Sequence, residues 1–464
     1  MGAVKSFSCK TQTWVRLGWV QLGLGWGFDN FFSKVMEQFV VMWLLESIGD
    51  KLDFRQYGGT KGNSVSHYLI ELVNFILHSQ DREEPTAVLP CLVDFSKAFN
   101  RQDHTLLITK LSDMGVPSWL LKLVIAFLSD RSMTVRYRGK TSKVRKLPGG
   151  GPQGTLLGLI LFIILINDLG FKDQKNETGE IITCKRKMKE MNEIHLKFVD
   201  DLTLAEAVSL KNQLSDKPNR PRPENYHART GQELKPENSK VYRQLELTKE
   251  YAIRNQMVLN PKKTKLILFN PAKSYDFMPS FRINHDEIEL VEESKLLGLV
   301  IRSDLSWQSN TEYMIRRCNS KLWILRRLKR LGATNGDLLD IYSKQVRSIL
   351  EYAVPVWHSS ITGEQNLAIE RIQKIAFHII LGDQYKSYSS ALKTLGMDTL
   401  SNRRTKLCLK FAKKSSKDPK FSKWFKIKDK QKPTRNKQKY HRVYCRTNRY
   451  EKSPISYLTN LLNN

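Results

Sequence analysis

At 464 residues the chain is too long for a single core and calls for two or three domains, and its 41% apolar and 10% aromatic content excludes a globally disordered polymer. With 76 Lys and Arg against 46 Asp and Glu, the net charge of +30 favours a polyanionic partner, because each cation that meets a phosphate releases a condensed counterion. A solvated basic surface is the plain alternative. The longest apolar run, 156–166, is too short to cross a bilayer, and six scattered cysteines without a C-x-x-C pair predict neither a disulfide framework nor a structural zinc site, so a cytoplasmic or nuclear, membrane-free setting is expected.

Residues 1–31 carry three tryptophans and several glycines without any period. From residue 32 the spacing in "FFSKVMEQFVVMWLLESIGDKL" predicts a helix capped by Ser33 and ending near Gly49. A Gly-rich turn, "RQYGGTKGN", then leads into a helix capped near Ser64. "TAVLPCLVDF" predicts a central strand, with Pro90 marking a bulge or an edge at its start. Helices are expected over 103–114 and 118–129, and "MTVRYRGK" with "KVRKLPGG" predicts a hairpin turning at Gly139 and Lys140. The loop "LPGGGPQGTLLG" follows, with Thr155 placed to cap an apolar helix. Its glycines permit close backbone approach, and unpaired N–H groups at a helix start attract phosphate or sugar oxygens. A tight turn entering a core helix is the plain alternative.

Two polar stretches, 172–190 and 211–240, predict exposed connections on either side of "LKFVDDLTLA". Here Asp200 and Asp201 sit between apolar flanks, as at the tip of a buried hairpin. "VYRQLELTKEYAIRNQMVLN" predicts a helix, "TKLILFN" a strand, and "IELVEESKLLGLVI" two short strands about a turn. Beyond Ser303 the pattern is helical and basic, with 20 Lys and Arg against three acidic residues between Arg403 and Lys452.

Asp94 ends the apolar strand in "LVDFSKAFN", a second carboxylate at a strand terminus. Adjacent carboxylates repel, and one pKa rises unless a cation sits between them. Hard oxygen ligands on rigid strands suit Mg²⁺, and a pair of such ions can activate an attacking hydroxyl and stabilise departing pyrophosphate. An Asp pair alone is most often a turn or a cap. Joined to Asp94, the glycine loop and the basic chain, it points to metal.

The ordered set of motifs resembles the reverse transcriptase of non-LTR retrotransposons, most like the jockey-type elements. "RQYGGTKGNSVSHYLI" is similar to a fingers segment, and "LVDFSKAFNRQDH", "GGGPQGTLLGLILFIILIND", "KFVDDLTLA", "LNPKKTKLILF" and "SKLLGLVI" to the five motifs that follow it. The resemblance implies a right-hand polymerase: an α/β palm with an antiparallel sheet, partial fingers and a helical thumb. It implies RNA-directed DNA synthesis from dNTPs on an RNA template and a DNA primer, with two Mg²⁺ ions (Mn²⁺ as a substitute) held by Asp94, Asp200, Asp201 and the Phe95 carbonyl. Phe99 matches the aromatic gate against a 2′-OH, Gln153 and Gly154 the nucleotide site, and Lys263 the proton donor to pyrophosphate, for which Lys262 and Lys265 are equal candidates. Leu297 and Gly298 match the primer grip, and Arg55 and Gln56 a contact to template or nucleotide. The implied division is an atypical segment (1–31), polymerase (32–302), helical thumb and connection (303–400) and a basic tail (401–464). The family's upstream endonuclease and earliest fingers motifs have no counterpart in 1–31, which predicts an N-terminally truncated polymerase. A catalytically inactive fragment that binds RNA, and a relative of group II intron maturases, are the alternatives.

Overall fold

The computed structural model describes residues 6–10, 28–147, 149–152, 154–169, 192–210, 232–234, 238–271, 277–428 and 439–464. Strand β1 (Ser6–Lys10) precedes helix α1 (Phe28–Ile48). Ser33 lies inside α1 instead of capping it. One hydroxyl is a weak boundary signal against a buried stripe of Glu37, Val40, Val41, Leu44 and Ile48 at helical spacing. Helix α2 (Val65–Gln80) begins where expected, at Ser64, whose hydroxyl accepts the His67 N–H.

Strand β2 (Thr86–Val93) is followed by α3 (His104–Asp113), α4 (Ser118–Leu128), and the strands β3 (Ser132–Tyr137), β4 (Lys140–Thr141) and β5 (Arg145–Lys146). The β3–β4 turn is Arg138-Gly139, with φ of 46° and 79°, so Lys140 opens a strand and is not a turn residue. Helix α5 (Leu156–Leu165) leads to the hairpin of β6 (Glu193–Phe198) and β7 (Asp201–Ser209). Then come β8 (Gln232–Leu234), α6 (Lys240–Arg254), β9 (Lys265–Leu266) and β10 (Phe277–Pro279), with β10 parallel to β8. The short strands β11 (Arg282–Ile283), β12 (Asp286–Glu287), β13 (Glu289–Leu290), β14 (Glu293–Leu296) and β15 (Leu299–Arg302) precede the long helix α7 (Gln308–Arg330).

The principal sheet has five strands in the order β13-β9-β2-β7-β6, antiparallel throughout except for the β13–β9 pair. Pro90 stands in the middle of β2 without a bulge or an edge. Its carbonyl accepts the Ile267 N–H at 3.1 Å, and the same register holds at Val88–Phe269 and Cys91–Leu266. Proline lacks only the returning N–H, so the strand loses one ladder bond and nothing else.

The sheet separates two cores. On one face Leu89, Cys91, Leu202 and Leu204 pack with α1, α3, α4, α5 and α6. On the other, Val88, Leu196 and Ala205 pack with α2 and with helices from the C-terminal third. That third includes α7 and helices at Gly363–Leu381, Leu400–Ser415 and Pro454–Asn463. Among the described residues beyond 401, Phe421, Trp424, Tyr450 and Leu458 are buried in the core that α2 shares. Trp424 Nε1–H donates to Glu71 at 2.8 Å, and the Asp81 carboxylate accepts the backbone N–H groups of Arg446 and Thr447. Among the described residues no helix is long and apolar enough to cross a membrane.

Candidate active site

Strands β6 and β7 meet in a two-residue turn, Val199-Asp200, closed by the Phe198–Asp201 pair. Val199 takes a φ of 58°, a left-handed conformation that a β-branched side chain resists. The β2–β7 register pairs Val93 with Leu202, so its next step sets position 94 opposite 201 at the same end of the sheet. Asp94, Asp200 and Asp201, about a hundred residues apart in sequence, thereby share one sheet end.

Their charges feel one another. Burial, then the charges of Asp200 and Asp94, push Asp201 up to about 6. Burial also raises Asp200, opposed by a backbone hydrogen bond and reinforced by Asp94. Just beneath, the Tyr68 hydroxyl donates to Thr203 at 2.6 Å, with Asp201 close enough to push the phenol up further after burial has done so.

The converged cage of carboxylates that the sequence predicts is not finished: among the described residues no three acidic, His or Cys side chains form a metal-holding group. Mg²⁺ itself needs only one or two protein carboxylates, the remainder of its shell coming from water and substrate phosphates. The donor set therefore fits a hard divalent cation as a partial site.

Asp94 is fixed from the opposite side. Its N–H donates to Thr264 Oγ1 at 3.3 Å and its carbonyl accepts the Asn260 N–H at 2.8 Å. With Ser96 N–H bonded to Val258, the bridge between Phe95 and Leu259 is made by flanking groups, which turns Phe95's own N–H and C=O away from the 258–260 segment. The same Asn260–Thr264 turn carries Lys262 and Lys263, both exposed. Lys265 is committed to an ion pair with Glu289, which leaves the first two as the available cations.

The glycine loop packs backbone to backbone on the chain after Asp94. Gly151 N–H donates to the Phe99 carbonyl at 2.7 Å and Gly150 N–H to that of Gln102 at 2.9 Å. Gly150 has a φ of 81°, and a Cβ there would stand 3.0 Å from the Asn100 carbonyl oxygen, so the backbone contact favours glycine at this position. The Phe99 ring stacks on Phe162 of α5 at 4.5 Å. The expectation of free N–H groups at the start of α5 is overturned. The buried Glu37 carboxylate accepts those of Leu156 and Leu157 at 3.0 and 3.4 Å, and Thr155 accepts that of Gly158. Sequence reasoning missed Glu37; its one signal is an acid within the apolar stripe of α1. Gly154 is exposed with φ 81°, and Gln153 lies outside the described residues.

Gln56 is 2% exposed and holds the Asp-bearing turn instead of facing outward. Arg55 pairs with Asp53, which also binds the buried Lys197 at 2.5 Å. Burial would raise the Asp53 carboxyl, but Lys197 and Arg55 outweigh it and hold it low. Leu297 and Gly298 form the β14–β15 turn with φ of 46° and 91°, and the Leu297 carbonyl accepts from the Tyr352 hydroxyl at 2.7 Å. Helix α7 buries Thr311, Met314, Cys318, Leu322 and Leu325, and turns Arg316, Arg317, Arg326, Arg327 and Arg330 outward. Trp323 is 57% exposed there, with Arg327 over its ring at 5.6 Å.

Comparison with known proteins agrees with this arrangement. The sequence profile described as "Reverse transcriptase (RNA-dependent DNA polymerase)" matches residues 27–314. The RNA-directed DNA polymerase from mobile element jockey of Drosophila funebris is 22% identical over 331 residues, 70% of this chain and 32% of that protein. A probable RNA-directed DNA polymerase from transposon BS of Drosophila melanogaster is 30% identical over 140 residues, 30% of this chain and 15% of that protein. The chain thus spans a third or less of these relatives' length. Apo telomerase from Candida tropicalis overlaps at a TM-score of 0.41 and 13% identity, covering 85% of this chain and 57% of that one, too loosely to bear on function. The profile covers more than half of the chain, including Asp94, the glycine loop, the Asp200-Asp201 turn and the β14–β15 hairpin, and the chain belongs to the reverse transcriptase family.

Proposed function

We propose that the chain is an RNA-directed DNA polymerase of the jockey-like, non-LTR type, adding dNTPs to a DNA primer on an RNA template. The observation that supports it most is the β2–β7 register, which sets Asp94 across from Asp201 beside the turn holding Asp200. Asp94, Asp200 and Asp201, with the Phe95 carbonyl, are the groups to hold Mg²⁺ or Mn²⁺. When bound, the metal supplies charge neutralisation and a lowered pKa for the primer's 3′-OH.

The chain's own residues do the remainder. Phe99, braced by Phe162, crowds the sugar and selects against a 2′-OH. Lys263 or Lys262 gives a proton to pyrophosphate, both lying on the turn that fixes Asp94. Gly154, with Gln153 beside it, lines the nucleotide site. Leu297 and Gly298 seat the primer end. Residues 32–302 act as fingers and palm, and 303–400 as thumb and connection. The arginines and Trp323 of α7 follow the heteroduplex by charge and stacking.

Purified chain, primed RNA, dNTPs and Mg²⁺ test this reading. Extension is expected, and Asp200→Ala should lower it by about a thousandfold or more without weakening primer–template binding. Binding with no extension by the wild type identifies an inert RNA-binding fragment instead.

A further inference from the structure

Gln56 belongs to no secondary-structure element, yet its side chain makes the closest link between the fingers segment and the Asp-bearing turn. Its Oε1 accepts the Val199 N–H at 2.9 Å and the Gly58 N–H at 3.0 Å. Both partners are donors, so the amide can face them only with its oxygen. Around it, Tyr57 N–H donates to the Lys197 carbonyl at 2.8 Å and Lys197 N–H to the Arg55 carbonyl at 3.0 Å, an added parallel bridge on the free edge of β6. At Gly58 the approach is so close that a Cβ would stand 2.6 Å from Val199 Cγ2.

Val199 is the residue in this turn with an unfavourable backbone, and such a conformation persists only where its surroundings over-determine it. We infer that Gln56 is a positioning residue for nucleotidyl transfer: its side-chain carbonyl holds the Val199 amide, and so fixes the turn that aims Asp200 and Asp201 at Asp94. The inference rests on the polymerase reading of those carboxylates. Without that acceptor, Val199 relaxes toward ordinary φ and the two carboxylates move relative to β2. The C-terminal region holds the outer side of the same segment. Lys420 Nζ lies 3.8 Å above the Tyr57 ring and 3.5 Å from the Gln56 carbonyl. The clasp is thereby gripped between the turn and a part of the chain more than 350 residues away in sequence.

Two variants of the full chain test it: Gln56→Met, similar in length but without the acceptor, and Gln56→Glu, which keeps acceptor oxygens. Thermal midpoint, kcat and KM for dNTP, and amide hydrogen exchange across residues 196–202 are read together. Gln56→Met is expected to lose about tenfold or more in kcat, since small misplacements of reacting groups are costly, while KM stays within about threefold. Val199 should exchange faster in this variant, and Gln56→Glu should restore its protection and part of the rate. Wild-type kcat or wild-type Val199 exchange in Gln56→Met overturns the inference. So does an equal loss in both variants that merely follows the thermal midpoint. Should the wild type fail to extend a primer, the polymerase reading falls, while faster Val199 exchange in Gln56→Met still supports the clasp.

Discussion

At Asp201 the fold works against its own stability. Its carboxyl, ordinarily near 3.8, is pushed up to about 6 by burial and then by the charges of Asp200 and Asp94. A raised carboxylate pKa means that the fold disfavours the ionised form. The penalty is absent below the unfolded value near 4 and present in full above about 6. Asp201→Asn should therefore stabilise the metal-free protein at pH 7.5, with the gain shrinking as pH falls from 6 to 4. The shift corresponds to at most ~3 kcal/mol, and about 1–2 kcal/mol after allowing for solvent around a partly exposed group. Urea unfolding with chelator at both pH values checks this; a variant no more stable than wild type at pH 7.5 refutes it. The acidic residues were legible at this scale because carboxylates at strand ends are conspicuous in an apolar run. Gln56 and Glu37 were not: a glutamine in a turn and a glutamate in a helix have no local mark of the distant N–H groups they satisfy.

Among the elements, α2 carries the largest share of the connection between the two ends of the chain. Its Glu71 is 5% exposed and accepts from Trp424 Nε1 at 2.8 Å and from Lys423 at 3.3 Å. Trp424→Phe keeps most of the apolar packing and removes the donor, leaving a buried carboxylate short of one bond. A loss of about 1.5–3 kcal/mol is expected, as for hydrogen bonds to charged groups. Urea unfolding with an unchanged slope would confirm it, and a change under about 0.5 kcal/mol would mean that water replaces the indole. Helix starts at Ser64 and Thr155 were readable because each cap is a local contact three residues long. The start of α1 was not, since packing of its buried stripe decides its extent. The "TKLILFN" strand is reduced to Lys265–Leu266 plus a bridge at Phe269, and between them Pro90 offers a carbonyl to Ile267 but no N–H in return.

Over the whole molecule, the charge of +30 is unevenly spent: part is folded into structural contacts, and part is displayed. Arg403 binds Glu351 with two nitrogens, and Arg404 is fully buried against Trp357, so the basic C-terminal third is partly internal. The outward arginines of α7 are the better candidates for phosphate contacts. Replacing Arg326 and Arg327 with Gln should lower the slope of log affinity against log salt by about 2 for an RNA–DNA heteroduplex. Fluorescence anisotropy across a salt series measures this. An unchanged slope would make that face merely solvated.

What the chain's order of residues determined alone was the inventory: which runs are apolar, where caps and glycines punctuate them, and that three carboxylates stand at strand ends. These are local properties, set by periodicity and by backbone freedom. Only the tertiary structure decided that positions 94 and 201 face each other, that Glu37 rather than a ligand occupies the start of α5, and that the basic C-terminal third closes over α2. Each of those depends on pairing between segments far apart in the chain. No residue's own neighbours record which distant group will satisfy it.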